Sequence, residues 1–453
     1  TSREMRHQFK SAGIRALVYL NMFGKRVQEV LQDTEIDYLI EARMGDMMPA
    51  VKGWVTNLVV DKVKKLVPAY NVAQAVSFKT VLHRGAGQPL HALNATLDDI
   101  AVLQYTGGTT GLPKGAMLTH GNLVANMLQV RACLSQHDAQ GQSILRDGRE
   151  IMIAPLPLYH IYAFTANCMC MMVTGNHNVL ITNPRDIKGF VKELSNWRFT
   201  AFLGLNTLFV ALMDHPDFKA LDFSGLKVTN SGGTALVKAT AERWEKLTGC
   251  RIVEGYGLTE TSPVASANPC GSLARLGTVG TPVPGTAMKV ISDDGVDLGL
   301  GERGELCVKG PQVMKGYWQN PQATAEVLDA EGWFRTGDVA VIDPDGFVRI
   351  VDRKKDLIIV SGFNVYPNEI EDIVMAHPQV ANCAVIGVPD ERTGEAVKLF
   401  VVPRAGGVTV EELKAYCKEN FTGYKVPKLI VLRDSLPMTP VGKILRRELR
   451  DTV

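Results

Sequence analysis

The sequence lacks an excess of charge of either sign. Its 453 residues carry 49 Lys and Arg against 47 Asp and Glu, a net charge of +2. Such a chain projects no bulk field toward a polyanion, so nucleic acid is not an expected partner and any anion must be held by local groups. Cysteine is also sparse. The eight (Cys133, Cys168, Cys170, Cys250, Cys270, Cys307, Cys383, Cys417) are scattered, without Cys-x-x-Cys or a His at ligand spacing. This argues against a disulfide framework or a zinc site and for reduced thiols in a cytoplasmic protein. No Asp, Glu, Lys or Arg occurs in 151–184, but Pro155, Pro157, His160, Asn167, Gly175 and Asn176 interrupt that run. Buried strand and helix are expected there instead of a bilayer crossing. A signal-peptide pattern is not evident at the start.

Several catalytic signatures are missing too. No G-x-x-x-x-G-K-[ST] occurs, which removes the ordinary P-loop, and no G-x-S-x-G occurs, which removes the hydrolase elbow. Gly299, Gly301 and Gly304 do satisfy G-x-G-x-x-G, but ELCVKG after them alternates as a strand and opens no helix. The mechanism behind a dinucleotide fingerprint is therefore absent.

What is present is a globular composition, 46% hydrophobic and 21% charged, long enough for two or three domains. Apolar runs at 99–105, 151–154, 199–205 and 226–229 alternate with helical stretches, which implies an α/β domain with largely parallel sheets. From about 275 the texture changes to short strands and tight turns, with Asp-Gly hairpin signals at 294–295 and 345–346. A third texture follows Lys355: a helix over 367–377, strands over 383–388 and 395–402, and a helix to about Asn420 opened by a Thr409/Glu412 capping box. The expected fold class is α/β. A large N-terminal domain, 1–354, comprises α/β subdomains and a β-rich subdomain over about 275–354, and a small mobile α+β domain follows over 355–453. The stretch DRKKD at 352–356 is either the linker or a solvated turn.

The strongest local signal is YTGGTTGLPKG at 105–115, between a strand and a helix beginning near Asn122. Either its glycines, threonines and Lys114 put N–H groups, hydroxyls and an ammonium where phosphate oxygens can sit, or it is a flexible Gly/Thr surface loop. In EGYGLTETS at 254–262, a Tyr, a Thr and a Glu among glycines suit stacking on a base, bonding a phosphate and holding Mg²⁺. Asp338 in GWFRTGD either accepts from ribose hydroxyls or caps a turn. Arg353 can add a ribose or phosphate contact, and Gly362 would let a thin ligand approach the backbone. In PMTPVGKILRREL at 437–449, Lys443 sits on a loop entering a basic helix, either held forward or as an ordinary exposed lysine.

Taken in order, YTGGTTGLPKG, GYGLTE, GWFRTGD, DRKKDLIIVSGFNVYPNEIE and PVGKILRREL resemble the adenylate-forming superfamily, most closely its bacterial long-chain fatty acid–CoA ligases. The resemblance runs from about Leu97 to the C-terminus. It implies that a carboxylate and ATP form an acyl-adenylate and pyrophosphate, and that coenzyme A then displaces AMP. The implied catalytic set is Tyr105, Thr106, Glu260 and Lys443, with Thr106 and Glu260 holding Mg²⁺. The implied nucleotide contacts are Thr106, Gly107, Gly108, Thr109, Thr110, Gly111 and Lys114 on the phosphates, Tyr256 stacking on the adenine, and Gly232, Gly233, Gly255 and Gly257 elsewhere on ATP or AMP; the stretch NSGG at 230–233 would lie beside both the nucleotide and the acyl pocket. Thr259 would meet the α-phosphate, and Asp338 and Arg353 the ribose, with Ile350 beside them. Lys443 would bridge the carboxylate and the α-phosphate. The acyl and coenzyme A tunnels would be lined by His160, Gly204, Gly233, Gly257 and Gly362, although His160 also reads as a buried structural histidine. Lys355 would be the hinge about which the small domain withdraws Lys443 and presents Gly362.

Two segments depart from that pattern. The chain opens at Thr1 with TSREMRHQFKSAG, which reads as a helix of a folded domain, so further sequence upstream is expected. Over 47–70, Trp54, Val55, Leu58, Val59, Val63 and Leu66 share a helical face opposite Asp61, Lys64 and Lys65. That face either packs on its own domain or makes peripheral contact with the cytoplasmic face of the inner membrane. Expected partners are thus a long-chain fatty acid, ATP and coenzyme A, with membrane contact and a homodimer as further possibilities. Transfer of the adenylate to a carrier-protein phosphopantetheine is the alternative enzyme reading, and a nucleotide- or lipid-binding remnant the non-enzyme one.

Overall fold

The apolar runs fold as strands, and the segments between them as helices that cover sheets. The computed structural model describes residues 1–90, 92–106, 113–135, 143–439 and 442–450. The loop residues Gly107, Gly108, Thr109, Thr110 and Gly111 lie outside these. The chain forms two compact units, Thr1–Thr96 with Pro113–Gly115, and Leu97–Leu112 with Ala116–Val453.

In the first unit the opening segment is the helix Ser2–Ala12, begun by a Thr1/Glu4 capping box and ended by Gly13 in the left-handed conformation. Three parallel strands, Ala16–Leu20, Tyr38–Ala42 and Val76–Ser77, form its sheet around a core of Tyr19, Val27 and Leu39. The amphipathic segment forms the helix Ala50–Leu58, continued by a π-helical turn Val59–Val63. Gly53 packs so closely on Gly45 that a β-carbon there would lie 2.3 Å from the Gly45 carbonyl oxygen. The apolar face, by contrast, is open, with Trp54 67% and Val63 70% exposed.

The second unit is built on a seven-stranded sheet in the order Thr281–Pro282, Val264–Ala267, Ile252–Gly257, Val228–Ser231, Ala201–Gly204, Ile151–Ala154, His177–Leu180. The last five of these are parallel, and the first two join antiparallel. The run 151–184 is accordingly buried strand and helix, and among the described residues no helix is long and apolar enough to cross a membrane. One side of the sheet carries an aromatic core in which Phe202, Phe209, Phe218 and Trp244 are fully buried. The helix His120–Leu134, capped by Thr119 and Asn122, belongs to the other side, where Val130 packs with Met152, Ala201 and Val228.

The β-rich stretch is an antiparallel meander of Ala287–Ile291, Arg303–Lys309, Phe334–Ile342 and Val348–Arg353. Gly295 and Gly346 take positive φ in its turns, as the Asp-Gly pairs require. The G-x-G-x-x-G decoy does run into a strand, Arg303–Lys309. Beyond it, Phe363–Val365, Ile358–Val360, Gly394–Pro403, Val380–Asp390 and Leu429–Leu432 form a five-stranded sheet. The helices Pro367–Met375 and Val410–Asn420 contribute to its core, and the capping box at Thr409 is present. In the 352–356 stretch Asp352 and Asp356 are buried, at 1% and 7% exposure, whereas Lys355 in the turn Lys354–Asp356 is exposed.

Candidate active site

Parallel strands bring their carboxyl ends to one edge of a sheet, where ligands gather in open α/β folds. Here a cavity of about 110 Å³ opens between that edge and the helix His120–Leu134. Its inner wall is apolar: Val130, Cys133 and Leu134 from the helix, Met152, Ala201 and Val228 from the strands. Its polar end is formed by His160, Gly232, Gly233, the run Gly255–Thr259 and Lys443.

Glycine is required at this end by close approach. A β-carbon on Gly257 would stand 2.0 Å from the Pro263 carbonyl oxygen, and one on Gly232 would meet the Tyr162 ring at 3.1 Å. Gly233 takes φ +83°, and its missing β-carbon would be 3.6 Å from Lys443 Cε. The lysine is presented by a tight loop: Lys443 N donates to Thr439 Oγ1 at 3.0 Å, and Thr439 N to the Lys443 carbonyl at 2.8 Å. Arg446, three residues on, ties the loop down through Glu371 at 2.7 Å. Burial lowers the Lys443 pKa, and Arg353 lowers it further, while Asp338 and Glu260 oppose the shift. These sequence-chosen charges therefore act on one another. His160 is held near pKa 4 by burial and by Lys443, so it is a neutral imidazole; its Nδ1 accepts from Tyr162 N at 3.3 Å.

Beside the cavity lies a second cluster. Asp338, 2% exposed, faces Arg353 across the meander, and Arg353 Nε pairs with Asp338 Oδ1 at 2.8 Å. The Tyr256 hydroxyl donates to Asp338 Oδ2 at 2.5 Å, and Asp338 N donates to Thr336 Oγ1 at 3.1 Å. Burial and Asp338 push the Tyr256 phenol well above its ordinary pKa, so it remains a neutral donor and an aromatic face. Ile350 sits opposite Ala340 in the same meander and packs on its core.

Glu260, in the turn Thr259–Thr261, accepts from the Tyr317 hydroxyl at 2.8 Å through Oε1. Among the described residues no three His, Cys, Asp or Glu are grouped to hold a metal ion. A single carboxylate such as Glu260 nevertheless suits Mg²⁺, which binds through one or two carboxylates and takes its remaining ligands from phosphates and water. Tyr105 ends the strand Ile100–Tyr105, and Thr106 follows it. Lys114 belongs to the first unit and directly precedes the strand Gly115–Thr119.

Two residues expected to line the tunnels are elsewhere. Gly204 does not line the cavity; a β-carbon there would strike the Phe209 ring at 2.7 Å, so its glycine serves the aromatic core. Gly362 lies in the turn between Ile358–Val360 and Phe363–Val365 with φ +82°, open to solvent and away from the cavity lining. Lys355 lies in the turn Lys354–Asp356, its pKa lowered by burial and by Arg353. Sequence reasoning missed Tyr162, Tyr317 and the cavity wall at Val130, Cys133 and Met152, and took Asn230 only as part of NSGG at 230–233. The alternation Val228, Asn230, Gly232 carried a signal for one of them, because a period of two puts all three on one face.

The sequence matches the AMP-binding enzyme family over residues 1–318 and the AMP-binding enzyme C-terminal domain over 369–443. A long-chain-fatty-acid–CoA ligase of Escherichia coli O6:H1 is 50% identical over 451 residues, which is 100% of this chain and 79% of the relative. Its Haemophilus influenzae counterpart is 49% identical over 455 residues, again 100% and 79%. Among solved structures, ATP-bound MatB from Rhodopseudomonas palustris superposes with TM-score 0.81 at 27% identity, covering 100% of this chain and 82% of that one.

Proposed function

The chain belongs to the AMP-binding enzyme family, and from that premise we propose that it activates a long-chain fatty acid with ATP, then transfers the acyl group to coenzyme A. The first step forms acyl-adenylate and pyrophosphate; the second forms the thioester and releases AMP. The observation that carries this reading is the joining of an apolar cavity, suited to an alkyl chain, to a polar end holding Lys443 and the Tyr256–Thr259 turn. Burying an alkyl chain contributes roughly 0.8 kcal/mol per methylene, so such a wall holds the tail while the carboxylate stays at the polar end.

The chemical obstacle is repulsion between a carboxylate and an α-phosphate. In the proposed assignment Lys443 lies between them and neutralises both. Tyr256 offers its ring to adenine, and Asp338 with Arg353 holds the ribose. Thr259 contacts the α-phosphate, and Thr106 with Glu260 holds Mg²⁺, which when bound supplies charge neutralisation on the phosphates. His160, neutral across the working range, acts as a wall of the tunnel instead of an acid. We place the boundary between the large and small domains at 354/355. Rotation about Lys355 would remove Lys443 after adenylation and carry Gly362 to the second site. Gly362→Leu tests this: thioester formation from supplied acyl-adenylate should fall while ATP–pyrophosphate exchange persists, and equal loss of both removes the rotation.

The exposed face of Ala50–Leu58 and its π-turn supports a peripheral membrane contact. Asp61 is turned inward, accepting from Asn21 Nδ2 at 3.4 Å, while Trp54 and Val63 face outward. Sedimentation with anionic vesicles should capture the protein, and Trp54→Glu should release it. Retention in solution as a dimer, lost in the same variant, would assign that face to a second copy instead.

A further inference from the structure

The strand Val228–Ser231 divides its side chains between two environments. Thr229 belongs to the aromatic core, where it accepts from Trp244 Nε1 at 3.2 Å. Val228, Asn230 and, just past the strand, Gly232 line the cavity. Val228 belongs to the apolar wall and Gly232 to the polar end, and at about 3.3 Å per residue Asn230 stands between them, roughly 7 Å along the strand from each. An amide at that position stands where the first several carbons of an acyl chain would run.

Its orientation is fixed. The Tyr162 hydroxyl donates to Asn230 Oδ1, and the Tyr162 ring is pressed over Gly232, which has no β-carbon to displace it. The amide nitrogen is therefore turned to the other side, toward Gly255, whose missing β-carbon would stand 3.9 Å from Nδ2. Among the described residues no acceptor meets Nδ2. Both residues line the cavity, whose inner wall is otherwise apolar. An unpaired donor facing a plain methylene chain loses its water without replacement, at a cost. The same donor facing an oxygen on the chain is satisfied.

We propose that the Tyr162–Asn230 pair is a specificity element that favours carboxylic acids bearing a hydroxyl or keto oxygen within the first several carbons of the chain. This rests on the acyl-activating function proposed above. Tyr162 is the positioning residue, and Asn230 the one that contacts substrate.

The test is kcat/KM in ATP–pyrophosphate exchange for hexadecanoate, 3-hydroxyhexadecanoate and 5-hydroxyhexadecanoate. The wild type should prefer at least one hydroxy acid over hexadecanoate by about tenfold, within the discrimination one substrate hydrogen bond supplies. Asn230→Ala should bring that ratio to one or below, lowering the hydroxy acid and raising hexadecanoate. Tyr162→Phe, which keeps the ring but frees the amide, should lower the ratio less. A merely structural role would lower all three acids together and leave the ratio unchanged, which would overturn the proposal, as would a wild-type ratio at or below one for both hydroxy acids. Should Asn230→Ala fail to fold, Tyr162→Phe decides by the same ratio. A wild type silent toward every acid would remove the activity itself, and this inference with it.

Discussion

On the proposed assignment, replacing Lys443 by Ala should separate the two half-reactions. The ammonium stands at the polar end of an apolar cavity, within electrostatic reach of Arg353, Asp338, Glu260 and Lys355. At about 4 Å and an effective dielectric near 20, one charge pair is worth roughly 4 kcal/mol. Arg353 remains in the variant and recovers part of that, so a loss of about 3–4 kcal/mol in the adenylation transition state is expected. This corresponds to roughly 10²–10³-fold in rate. ATP–pyrophosphate exchange with palmitate reads the first half-reaction, and thioester formation from supplied palmitoyl-adenylate reads the second. The first should fall by that factor, and the second should change by less than about threefold. The pH profile adds a sign. Because burial lowers the Lys443 pKa, its charge is lost as pH rises through a value below the ordinary lysine range, so exchange should decline on the alkaline side earlier than thioester formation does. Equal loss in both half-reactions, or exchange retained within tenfold, would refute the assignment.

Three further outcomes follow from particular contacts. Gly257→Ala puts a β-carbon 2.0 Å from the Pro263 carbonyl oxygen, so the strand must move; about 1–3 kcal/mol of stability and most exchange activity should be lost, checked by denaturant titration and exchange. Tyr317→Phe frees Glu260 Oε1; with Glu260 as the proposed Mg²⁺ ligand, the Mg²⁺ concentration giving half-maximal exchange should rise about 10–100-fold, the usual cost of removing a group that orients a metal ligand. Glu254, which accepts from Leu236 N at 3.2 Å, has its pKa raised by burial to about 7. Below about pH 4.5 it is neutral in folded and unfolded chains alike. As pH rises toward 7 the unfolded chain ionises first, so its contribution to stability is lost over that window. Glu254→Gln should therefore raise Tm by about 2–4 °C at pH 8 and leave it unchanged at pH 4, measured by calorimetry.

Much of this was legible in the sequence because the signals were local. The Thr409/Glu412 capping box, the Asp-Gly turns at Gly295 and Gly346, and the apolar run at Ile151–Ala154 each depend on neighbours in the chain, and each appears where expected. Ordered motifs also identified groups that meet only in the fold: Tyr256 and Asp338, 82 residues apart, share a hydrogen bond. The failures are non-local. Gly204 looked like a small tunnel residue, but its neighbour is Phe209, and only the packing of a helix on its strand shows that. Asn230 was placed only as a member of the NSGG stretch, because the orientation of its amide depends on Tyr162, 68 residues away. The apolar face around Trp54 was visible as a pattern, while the inward turn of Asp61 was not.

The central claim is that one site joins a fatty carboxylate to the α-phosphate of ATP and passes the product to a thiol. Palmitate-dependent ATP–pyrophosphate exchange, followed by the same reaction with coenzyme A under assay for AMP and palmitoyl thioester, tests it most directly. The account predicts exchange without coenzyme A, and stoichiometric AMP and thioester with it. Exchange absent with palmitate and with a series of other carboxylates would contradict it.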